Sequence, residues 1–387
     1  MVEYYIYLIN IFVLKGLYIN MKVLILTVST GEGHNSAASA IEDELKKRGA
    51  ETRTLDACYY VNRLLGFTVS YGYLLSIGAM SHSYSKVYGM LEHRKRFDKP
   101  YSPTKQAIAL MANKLSEYVN DYDPDTIVCT HVFAALCIEH LKEKGRLRAK
   151  TIGIVTDFTV HPYWEELRSF DRIVIPSSRL GWQCLKKGLK KKQILPLGIP
   201  VKSIFKKSVS TPKARVRLGL MPDKPVVMVM GGSMGYGDLK ESVEQIDKLK
   251  LCFQIVVVCG NNEKAFQSLS EYRSAHKLKV LGYTNEIPLI MDASDCIVTK
   301  PGGITVSEAL AKGLPLILTK PIPGHEERNM EFLMNSGAAM GVSRKTTLQE
   351  LVWQFFSEPK HKQVMAKAAK TLGNANSAED LAKFIIG

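Results

Sequence analysis

The sequence lacks the cysteine pattern of a disulfide-bonded or zinc-binding protein. Its 387 residues contain seven cysteines, an odd number, and none of them forms a Cys-x-x-Cys pair. Several lie in apolar, strand-like runs, where a free thiol behaves as a small hydrophobic side chain. The cysteines therefore indicate a reducing compartment, and they exclude a disulfide framework and a zinc site built from paired cysteines.

The sequence also has no hydrophobic run long enough to cross a bilayer, which takes about 20 apolar residues. The apolar run at residues 4–14 is too short, and it lacks the basic start and cleavage site of a signal peptide. Residues 21–26 instead have the composition of the first strand of an α/β protein. We therefore expect residues 1–20 to be an upstream extension, such as a start site assigned too early. A weak membrane-surface segment is the alternative.

Acidic residues are scarce relative to basic ones, with 37 Asp and Glu against 52 Lys and Arg and a net charge of +15. Such an excess favours nucleic acid or an anionic membrane as partner. No nucleic-acid-binding motif is present, so we expect no nucleic acid partner. Basic clusters lie at residues 93–99 and 186–192, and the first follows an aromatic, apolar stretch. This composition is typical of a surface that docks on anionic lipid. We assign Arg94, Lys95 and Arg96 to that contact, with a solvated charged face as the alternative.

The chain has the length and apolar content of two α/β domains. Short apolar runs alternate with helical patterns, which predicts parallel, doubly wound sheets. Strands are predicted at 23–28, 52–56, 126–130, 151–156 and 172–176, and again at 225–230, 254–259, 279–281, 296–299 and 316–319. A stretch rich in Pro, Lys and Ser around residue 200 predicts the linker. We therefore divide the chain into domains at 21–200 and 201–360, with C-terminal helices at 361–387 that would return to the first domain.

A strand, a Pro-Gly-Gly turn and a helix start follow one another at residues 296–310. The free N–H groups and dipole of a helix N-terminus bind anions, above all phosphates. Gly302 and Gly303 would let the anion approach the backbone. Glu308 lies in the first two turns, close enough to reach a ribose attached to that phosphate. An ordinary βα turn is the alternative, and this segment alone does not choose between them.

Further loops of the second half follow strand ends and are expected to converge on the same place. A glycine loop spans 231–235, an aromatic loop begins at 283, and a polar segment spans 325–329. The ring of Tyr283 suits a flat base, and the polar segment suits sugar hydroxyls. The candidate nucleotide-sugar residues here are Gly231, Ser233, Tyr283, Thr284, Thr299, Thr305, His325, Glu326 and Asn329.

In the first half, residues 31–36 nearly match the dinucleotide fingerprint G-x-G-x-x-G, and Asp56 follows at about the expected offset of 20 residues. The match would indicate a dehydrogenase. However, Ser36 replaces the third glycine, and the imidazole of His34 lies where a pyrophosphate would pass. We interpret residues 30–36 as a glycine loop ahead of a helix that begins at residue 37.

His34 and Asp157 are the candidate catalytic residues. A neutral imidazole at a helix N-terminus has a lowered pKa and is ready to accept a proton. The alternative is a polar loop residue that caps the helix. Asp157 follows a strand end, and is a second candidate base, an orienter of His34 or a helix cap. Gly33, His161 and Trp164 are candidates for acceptor contact, although the last two could simply pack.

The acidic run at residues 121–125 resembles an Asp-x-Asp metal site. It precedes its strand, which places it at the wrong edge of the sheet for a ligand. We interpret it as a turn. No other carboxylate cluster has ligand spacing, so we expect no metal ion and no cofactor.

Three groups of residues resemble one known family. They are Gly-x-Gly-His-x-x-Ala-Ala at 31–38, Thr-Asp-Phe at 156–158, and a late group. The late group comprises Gly-Tyr-Thr-Asn at 282–285, Thr-Lys-Pro-Gly-Gly-x-Thr-x-Ser-Glu-Ala at 299–309 and Pro-x-Pro-Gly-x-Glu at 321–326. Together, over nearly all of residues 21–387, they resemble the monogalactosyldiacylglycerol synthase and processive diacylglycerol glucosyltransferase family. The resemblance implies the glycosyltransferase B fold, with two Rossmann-like domains. It also implies a UDP-sugar donor in the second domain, acceptor and membrane contact in the first, and inversion without a metal.

The implied reaction moves glucose or galactose from UDP-sugar, a co-substrate, to diacylglycerol or a glycosyl-diacylglycerol. It would take place at the cytoplasmic membrane face, on a peripheral protein. His34, with Asp157, would remove the acceptor proton, and the helix start at Gly302 would stabilise the departing UDP. Family members commonly carry Gln where this chain has His325, which leaves glucose or galactose open. The alternatives are a UDP-sugar epimerase, a different lipid-acceptor glycosyltransferase, and an inactive lipid- or nucleotide-binding regulator.

Overall fold

A computed structural model of the chain describes residues 21–29, 32–62, 103–235 and 237–387. Residues 1–20 and the basic residues Arg94, Lys95 and Arg96 lie outside the described residues, as does the aromatic stretch that precedes them. The helices and strands below are numbered in chain order within the described ranges.

The first half is built on a six-stranded parallel sheet with strand order β2-β1-β3-β4-β5-β6. Its strands are β1 (Lys22–Thr27), β2 (Glu51–Asp56), β3 (Thr126–Cys129), β4 (Lys150–Ile154), β5 (Arg172–Val174) and β6 (Ile194–Leu195). Its helices are α1 (Glu32–Lys46), α2 (Ala57–Val61), α3 (Pro103–Tyr122), α4 (Val132–Glu143) and α5 (Gly181–Lys186). The central strands are buried along their length, as parallel strands covered by helices on both faces are.

The second half repeats this architecture with strand order β12-β11-β10-β7-β8-β9. Its strands are β7 (Val226–Met230), β8 (Gln254–Val258), β9 (Lys277–Leu281), β10 (Cys296–Thr299), β11 (Leu316–Leu318) and β12 (Ala339–Gly341). Helices α6 (Thr211–Arg217), α7 (Leu239–Asp247), α8 (Glu263–Ser270), α9 (Ile287–Ala293) and α10 (Gly303–Ala311) precede the last two strands. Helices α11 (His325–Asn335), α12 (Leu348–Ser357), α13 (Pro359–Leu372) and α14 (Ser377–Ile386) complete the chain.

The strand order places one switch point in each sheet. The winding reverses between β1 and β3 in the first sheet, and between β7 and β10 in the second. In open parallel sheets, ligands bind outside the carboxyl ends of the strands at such a point. The topology therefore predicts that the segments after these four strands line the ligand sites.

The C-terminal helix α14 joins the two halves. Its apolar residues Leu381 and Ile385 lie in the same buried cluster as Val23 and Ile25 of β1. The backbone N–H of Val201 donates to the Ser377 hydroxyl at 3.2 Å at the start of this helix. The chain therefore returns to the first sheet after it has built the second. None of the helices in the described ranges combines the length and apolar content needed to cross a membrane.

The predicted α/β class with two doubly wound sheets is confirmed. The predicted strands agree with the observed ones to within two residues, but β6 and β12 were not predicted. Strands of two and three residues are too short to give a hydrophobic pattern. One helix boundary was wrong: α1 begins at Glu32 and not at residue 37, so Gly33 and His34 lie in its first turn instead of in a loop.

Candidate active site

A cleft of about 310 Å³ lies between the carboxyl ends of the two sheets. Its walls come from the start of α1, from the segment after β4, and from the loops after β7, β9, β10 and β11. The sequence-predicted residues that line it are Gly33, His34, Asp157, Gly231, Ser233, Tyr283, Thr284, Gly302, Gly303, Thr305, Glu308, His325 and Glu326. The fold thus brings the candidate base of the first half and the candidate nucleotide-sugar residues of the second into one space.

Two helix N-termini meet at this cleft. A methyl group built on Gly33, in the first turn of α1, would lie 3.3 Å from the side chain of Ile304 in the first turn of α10. One built on Gly303 would lie 1.8 Å from the carbonyl oxygen of Thr156, so only glycine permits this approach. The N-cap of α10 is Gly302, which offers no side chain to its free N–H groups. Both positive dipole ends therefore face the space where an anion would bind.

His34 is held in one orientation by the backbone. Its Nδ1 lies 2.7 Å from the carbonyl oxygen of Thr130 and 3.3 Å from the Thr156 hydroxyl. Because a carbonyl oxygen only accepts, the neutral ring donates from Nδ1 and keeps a free lone pair on Nε2. Burial lowers the pKa of His34, while the charge of Asp157 opposes that shift. The result is a neutral imidazole able to accept a proton.

Two further imidazoles on this side of the molecule are buried, and one of them contacts His34. The ring of His131 packs edge-on against it at 4.5 Å between centroids, and its Nδ1 accepts from the N–H of Phe133. Burial holds the pKa of His131 well below the usual range. Burial also lowers the pKa of His161 to about 4, and its Nδ1 accepts from the N–H of Tyr163. These two rings therefore act as caps and packing partners at neutral pH.

Asp157 lines the cleft but does not bond to His34 Nδ1, as an orienter would. Its Oδ1 accepts from Asn329 Nδ2 at 2.9 Å, and Asn329 Nδ2 also lies 3.0 Å from the Pro301 carbonyl oxygen. Asn329 is fully buried behind the cleft wall, so it is a bridge between the two halves in this structure. The Thr130 carbonyl oxygen orients the His34 ring instead. Because it is a backbone group, no side-chain motif could predict this contact.

The loop after β7 is held by the loop after β8. Gly232 and Gly235 have left-handed backbone angles, with φ of 76° and 61°. A methyl group on Gly235 would lie 2.1 Å from the Cys259 carbonyl oxygen. The N–H of Asn261 donates to the Ser233 carbonyl at 2.9 Å, which fixes this residue at the cleft. At the cleft mouth, Tyr283 is 66% exposed and offers its ring to a planar group.

One predicted contact residue does not line the cleft, whereas its neighbour in the sequence does. Thr299 is buried at the end of β10 and does not line the cleft. Lys300, the next residue, lines it and pairs with Glu326 at 2.9 Å. The other oxygen of Glu326 accepts from the N–H of Ile322, so this carboxylate braces the loop after β11. Lys300 belongs to the Thr-Lys-Pro-Gly-Gly motif at 299–303, so this motif could have predicted it as a cleft residue.

Trp164 packs in the core and not in the cleft. It is 4% exposed, and a methyl group on Gly153 of β4 would lie 2.6 Å from its ring. His161 caps the short 3-10 turn that carries this tryptophan. Thr156 and Lys202 also line the cleft, although neither was predicted from the sequence. Thr156 adjoins Asp157 in the quoted motif, whereas Lys202 lies beside the predicted linker with no motif around it.

The acidic run at residues 121–125 lies at the opposite edge of the first sheet. Asp125 accepts from the backbone N–H of Lys22, the first residue of β1, at 2.8 Å. Asp121 belongs to the last turn of α3, and Asp123 makes the turn with a φ of 48°. Within the described ranges, no three His, Cys, Asp or Glu side chains group as a metal site.

Glu308 is the residue whose loss should weaken nucleotide binding most directly. Burial raises the pKa of its carboxyl to about 8, with Lys202 opposing the shift. Removing the carboxyl would leave a buried ribose hydroxyl without its hydrogen-bond partner, which costs about 1–3 kcal/mol. We expect Glu308→Ala to weaken UDP binding roughly ten- to a hundredfold. Calorimetric titration with UDP measures this directly.

The matched control is Glu331→Ala, an exposed glutamate on α11 that does not line the cleft. It should bind UDP as the unmodified protein does. Unchanged UDP affinity in folded Glu308→Ala would remove Glu308 from the nucleotide site.

Comparison with known proteins connects this cleft to a group of enzymes. Residues 34–201 match the family model for monogalactosyldiacylglycerol (MGDG) synthase, and residues 226–384 match that for the glycosyltransferase family 28 C-terminal domain. The chain is 33% identical to the processive diacylglycerol beta-glucosyltransferase of Bacillus subtilis (strain 168) over 95% of each chain. It is 32% identical to the protein of that name from Bacillus pumilus, again over 95% of each.

Solved structures share the fold at lower identity. Acinetobacter baumannii MurG superposes with a TM-score of 0.62 at 16% identity, over 94% of this chain and 99% of that one. The UDP-GlcNAc 2-epimerase of Neisseria meningitidis, bound to UDP-GlcNAc, gives a TM-score of 0.59 at 15% identity, over 94% and 99%. These likenesses extend to the arrangement of the two sheets.

Proposed function

This chain belongs to the family of diacylglycerol glucosyltransferases and monogalactosyldiacylglycerol synthases, and we propose that it makes membrane glycolipid. It transfers a hexose from a UDP-sugar to the hydroxyl of diacylglycerol or of a glycosyl-diacylglycerol. The observation that carries the proposal is the relationship to diacylglycerol glucosyltransferases over 95% of the chain. The cleft agrees with it, because a candidate base and an anion-binding helix start face one another there.

In the proposed step, the acceptor oxygen attacks the anomeric carbon while the bond from that carbon to the UDP oxygen breaks. The acceptor proton passes to Nε2 of His34, whose Nδ1–H remains bonded to the Thr130 carbonyl. Attack from the side opposite UDP inverts the anomeric configuration. The β-product in the names of the relatives agrees with inversion of an α-linked nucleotide sugar.

The departing UDP needs positive charge, and the chain offers it without a metal. The N-terminus of α10 at Gly302 and Gly303, the N-terminus of α1, and Lys202 all border the same space. Preorganised N–H groups in a site that excludes water stabilise charge as it develops. We therefore propose that no metal ion takes part. Turnover should be the same in EDTA as in magnesium, and loss in EDTA with rescue by magnesium or manganese would contradict this.

We further propose glucose as the transferred hexose. The relatives at 32% and 33% identity carry glucosyltransferase names, whereas the family model for the first half carries the galactosyl name. His325 lines the cleft at the start of α11. His325→Gln restores the common family residue, so comparing the two donors on this variant tests whether His325 sets the choice.

Transfer of radiolabel from UDP-glucose or UDP-galactose to lipid tests the function. We expect label from UDP-glucose to enter the chloroform-soluble fraction when diacylglycerol vesicles are present, and not when they are omitted. Label that stays water-soluble on an altered nucleotide sugar would support the epimerase, whose fold this chain shares. UDP binding without turnover of either donor would support an inactive regulator.

We propose that the enzyme works as a peripheral protein on the cytoplasmic face of the cell membrane. Its acceptor is a lipid that stays in the bilayer, and its net charge of +15 favours an anionic surface over water. The same charge would favour nucleic acid, but no sequence motif supports that partner. Arg94, Lys95 and Arg96 remain the sequence-predicted contact.

A further inference from the structure

The surface at α5 carries both exposed apolar side chains and basic side chains. Trp182 is 75% exposed and Leu185 is 39% exposed. Residues three apart on a helix lie on the same face, so these two side chains form one apolar patch. Exposed and half-buried basic side chains flank it in the sequence, and with the patch they make up what we call the Trp182 surface. They are Arg179, Lys186, Lys187, Lys190, Lys191 and Lys192.

This charge is not balanced by neighbours in the sequence. The chain contains no Asp or Glu from residue 172 to residue 222. One lysine of the group, Lys187, pairs with Glu165 at 2.5 Å, while Lys190, Lys191 and Lys192 are exposed. A tryptophan with an apolar body and a polar tip, next to lysines with long stems, suits the boundary between lipid headgroups and acyl chains. The positive charge complements anionic lipid.

The Trp182 surface is fixed to the part of the first half that lines the cleft. Cys184 and Leu189 anchor α5 and its end in the core of the first half. Gln183 Oε1 accepts from the N–H of Val160 at 3.3 Å, and Glu165 is the partner of Lys187. Both contacts are made to the segment after β4, which carries Asp157 into the cleft. A bilayer that contacts this surface would therefore be held beside the acceptor side of the active site.

We infer that the Trp182 surface docks the enzyme on an anionic bilayer, with Trp182 and Leu185 in the headgroup region and the lysines on lipid phosphates. The inference deepens the proposed function, since a transferase with a membrane lipid as acceptor must meet the bilayer with its cleft accessible. It assigns a bilayer contact within the described residues, in addition to the sequence-predicted residues Arg94, Lys95 and Arg96. It needs no catalytic event and can be tested by binding alone.

Sedimentation with vesicles tests the charge and the apolar patch separately. The full-length protein is mixed with vesicles of phosphatidylcholine containing 30 mol% phosphatidylglycerol, or of phosphatidylcholine alone. The triple change Lys190→Gln, Lys191→Gln and Lys192→Gln should weaken binding to the anionic vesicles roughly 30- to 100-fold, and added salt should mimic it. Trp182→Ala should weaken binding about tenfold.

Matched controls lie on the second half. Trp353→Ala removes another exposed tryptophan, on α12, and Lys248→Gln, Lys250→Gln and Lys264→Gln remove three exposed lysines. Both control proteins should sediment as the unmodified protein does. Equal sedimentation of the Trp182 and control variants would overturn the inference, as would loss of binding in both sets. Binding to a DNA duplex with none to vesicles would overturn it in favour of nucleic acid.

Fluorescence locates the tryptophan itself. The chain has three tryptophans, of which Trp164 is buried and out of reach of lipid, so a change in emission of a Trp353→Phe protein on vesicles reports Trp182. Its emission should shift to shorter wavelength on anionic vesicles and be quenched by brominated lipid. Unchanged emission from vesicle-bound protein would place the contact elsewhere and overturn the assignment.

Activity on dispersed acceptor separates this inference from the proposed function. The Trp182→Ala protein should still transfer hexose to short-chain diacylglycerol in detergent, because its cleft is unchanged. If the protein has no transferase activity but its vesicle binding depends on Trp182, the proposed function is contradicted and the docking surface is supported. If the protein is an active transferase but its vesicle binding does not depend on Trp182, the docking surface is contradicted and the proposed function is supported.

Discussion

Replacing His34 by alanine should lower kcat roughly 10³-fold and leave UDP affinity within about twofold. Nε2 of His34 keeps a free lone pair in the cleft, because Nδ1 donates to the Thr130 carbonyl oxygen at 2.7 Å. UDP would contact mainly the second half, so its binding does not need the ring. Single-turnover transfer and calorimetry on the same preparation measure the two quantities.

His140→Ala is the control for this change, since His140 lies on α4 and does not line the cleft. It should retain full activity. Near-normal turnover by His34→Ala would return His34 to a helix-start residue and make Asp157 the candidate base.

The pH profile carries a second signature of the same residue. His34 acts in its neutral form, and burial lowers its pKa, so the neutral form persists to lower pH. The acid limb of kcat/KM should therefore have its midpoint below the value of about 6.5 that is usual for histidine. Asp157→Asn removes the charge that raises the pKa of His34, and whatever activity remains should have its acid limb at still lower pH.

Gly303→Ala should lower kcat more than about 100-fold while the protein remains folded. The added methyl group would meet the Thr156 carbonyl oxygen at 1.8 Å, so α10 and the segment after β4 must separate. The Thr156 hydroxyl lies 3.3 Å from His34 Nδ1, and the separation would therefore displace the base and the leaving-group site from each other. Misplacement of about 1 Å between reacting groups costs roughly 10²-fold in rate.

The control is Gly181→Ala, where an added methyl group meets nothing within 4 Å and the backbone is already helical. It should retain activity and gain a little stability, because alanine favours helix over glycine. Thermal unfolding of both variants shows whether they are folded. Full activity in Gly303→Ala would mean that the close approach of the two halves is not needed for transfer.

The sequence by itself determined the fold class, and it predicted several of the residues that line the cleft. Runs such as the one in β7, five buried apolar residues ahead of a glycine loop, have few solutions other than a parallel strand covered on both faces. The Pro-Gly-Gly helix start predicted an anion site from local geometry alone. The motifs predicted His34 and Glu308 near helix starts and Asp157 after a strand end, and all three line one cleft.

Only the tertiary structure decided which of these side chains face the substrate space and which support it. Helix α1 starts at Glu32 although Gly33 disfavours helix. Its first turn lies against Ile304 of the second half, and helix propensity contains no information on such a long-range contact. Lys202 enters the cleft from a segment without motif, since the chain path alone carries it there.

Burial explains why two of the predicted contact residues do not line the cleft. Asn329 and Trp164 have side chains suited to a ligand, yet the first bridges Asp157 and Pro301, and the second packs on Gly153. A residue type states which contacts a side chain can make, whereas the surrounding elements decide which it does make. Because local sequence records pattern and not the partner across the cleft, it predicted the parts of this site, and the packing of the two halves determined their arrangement.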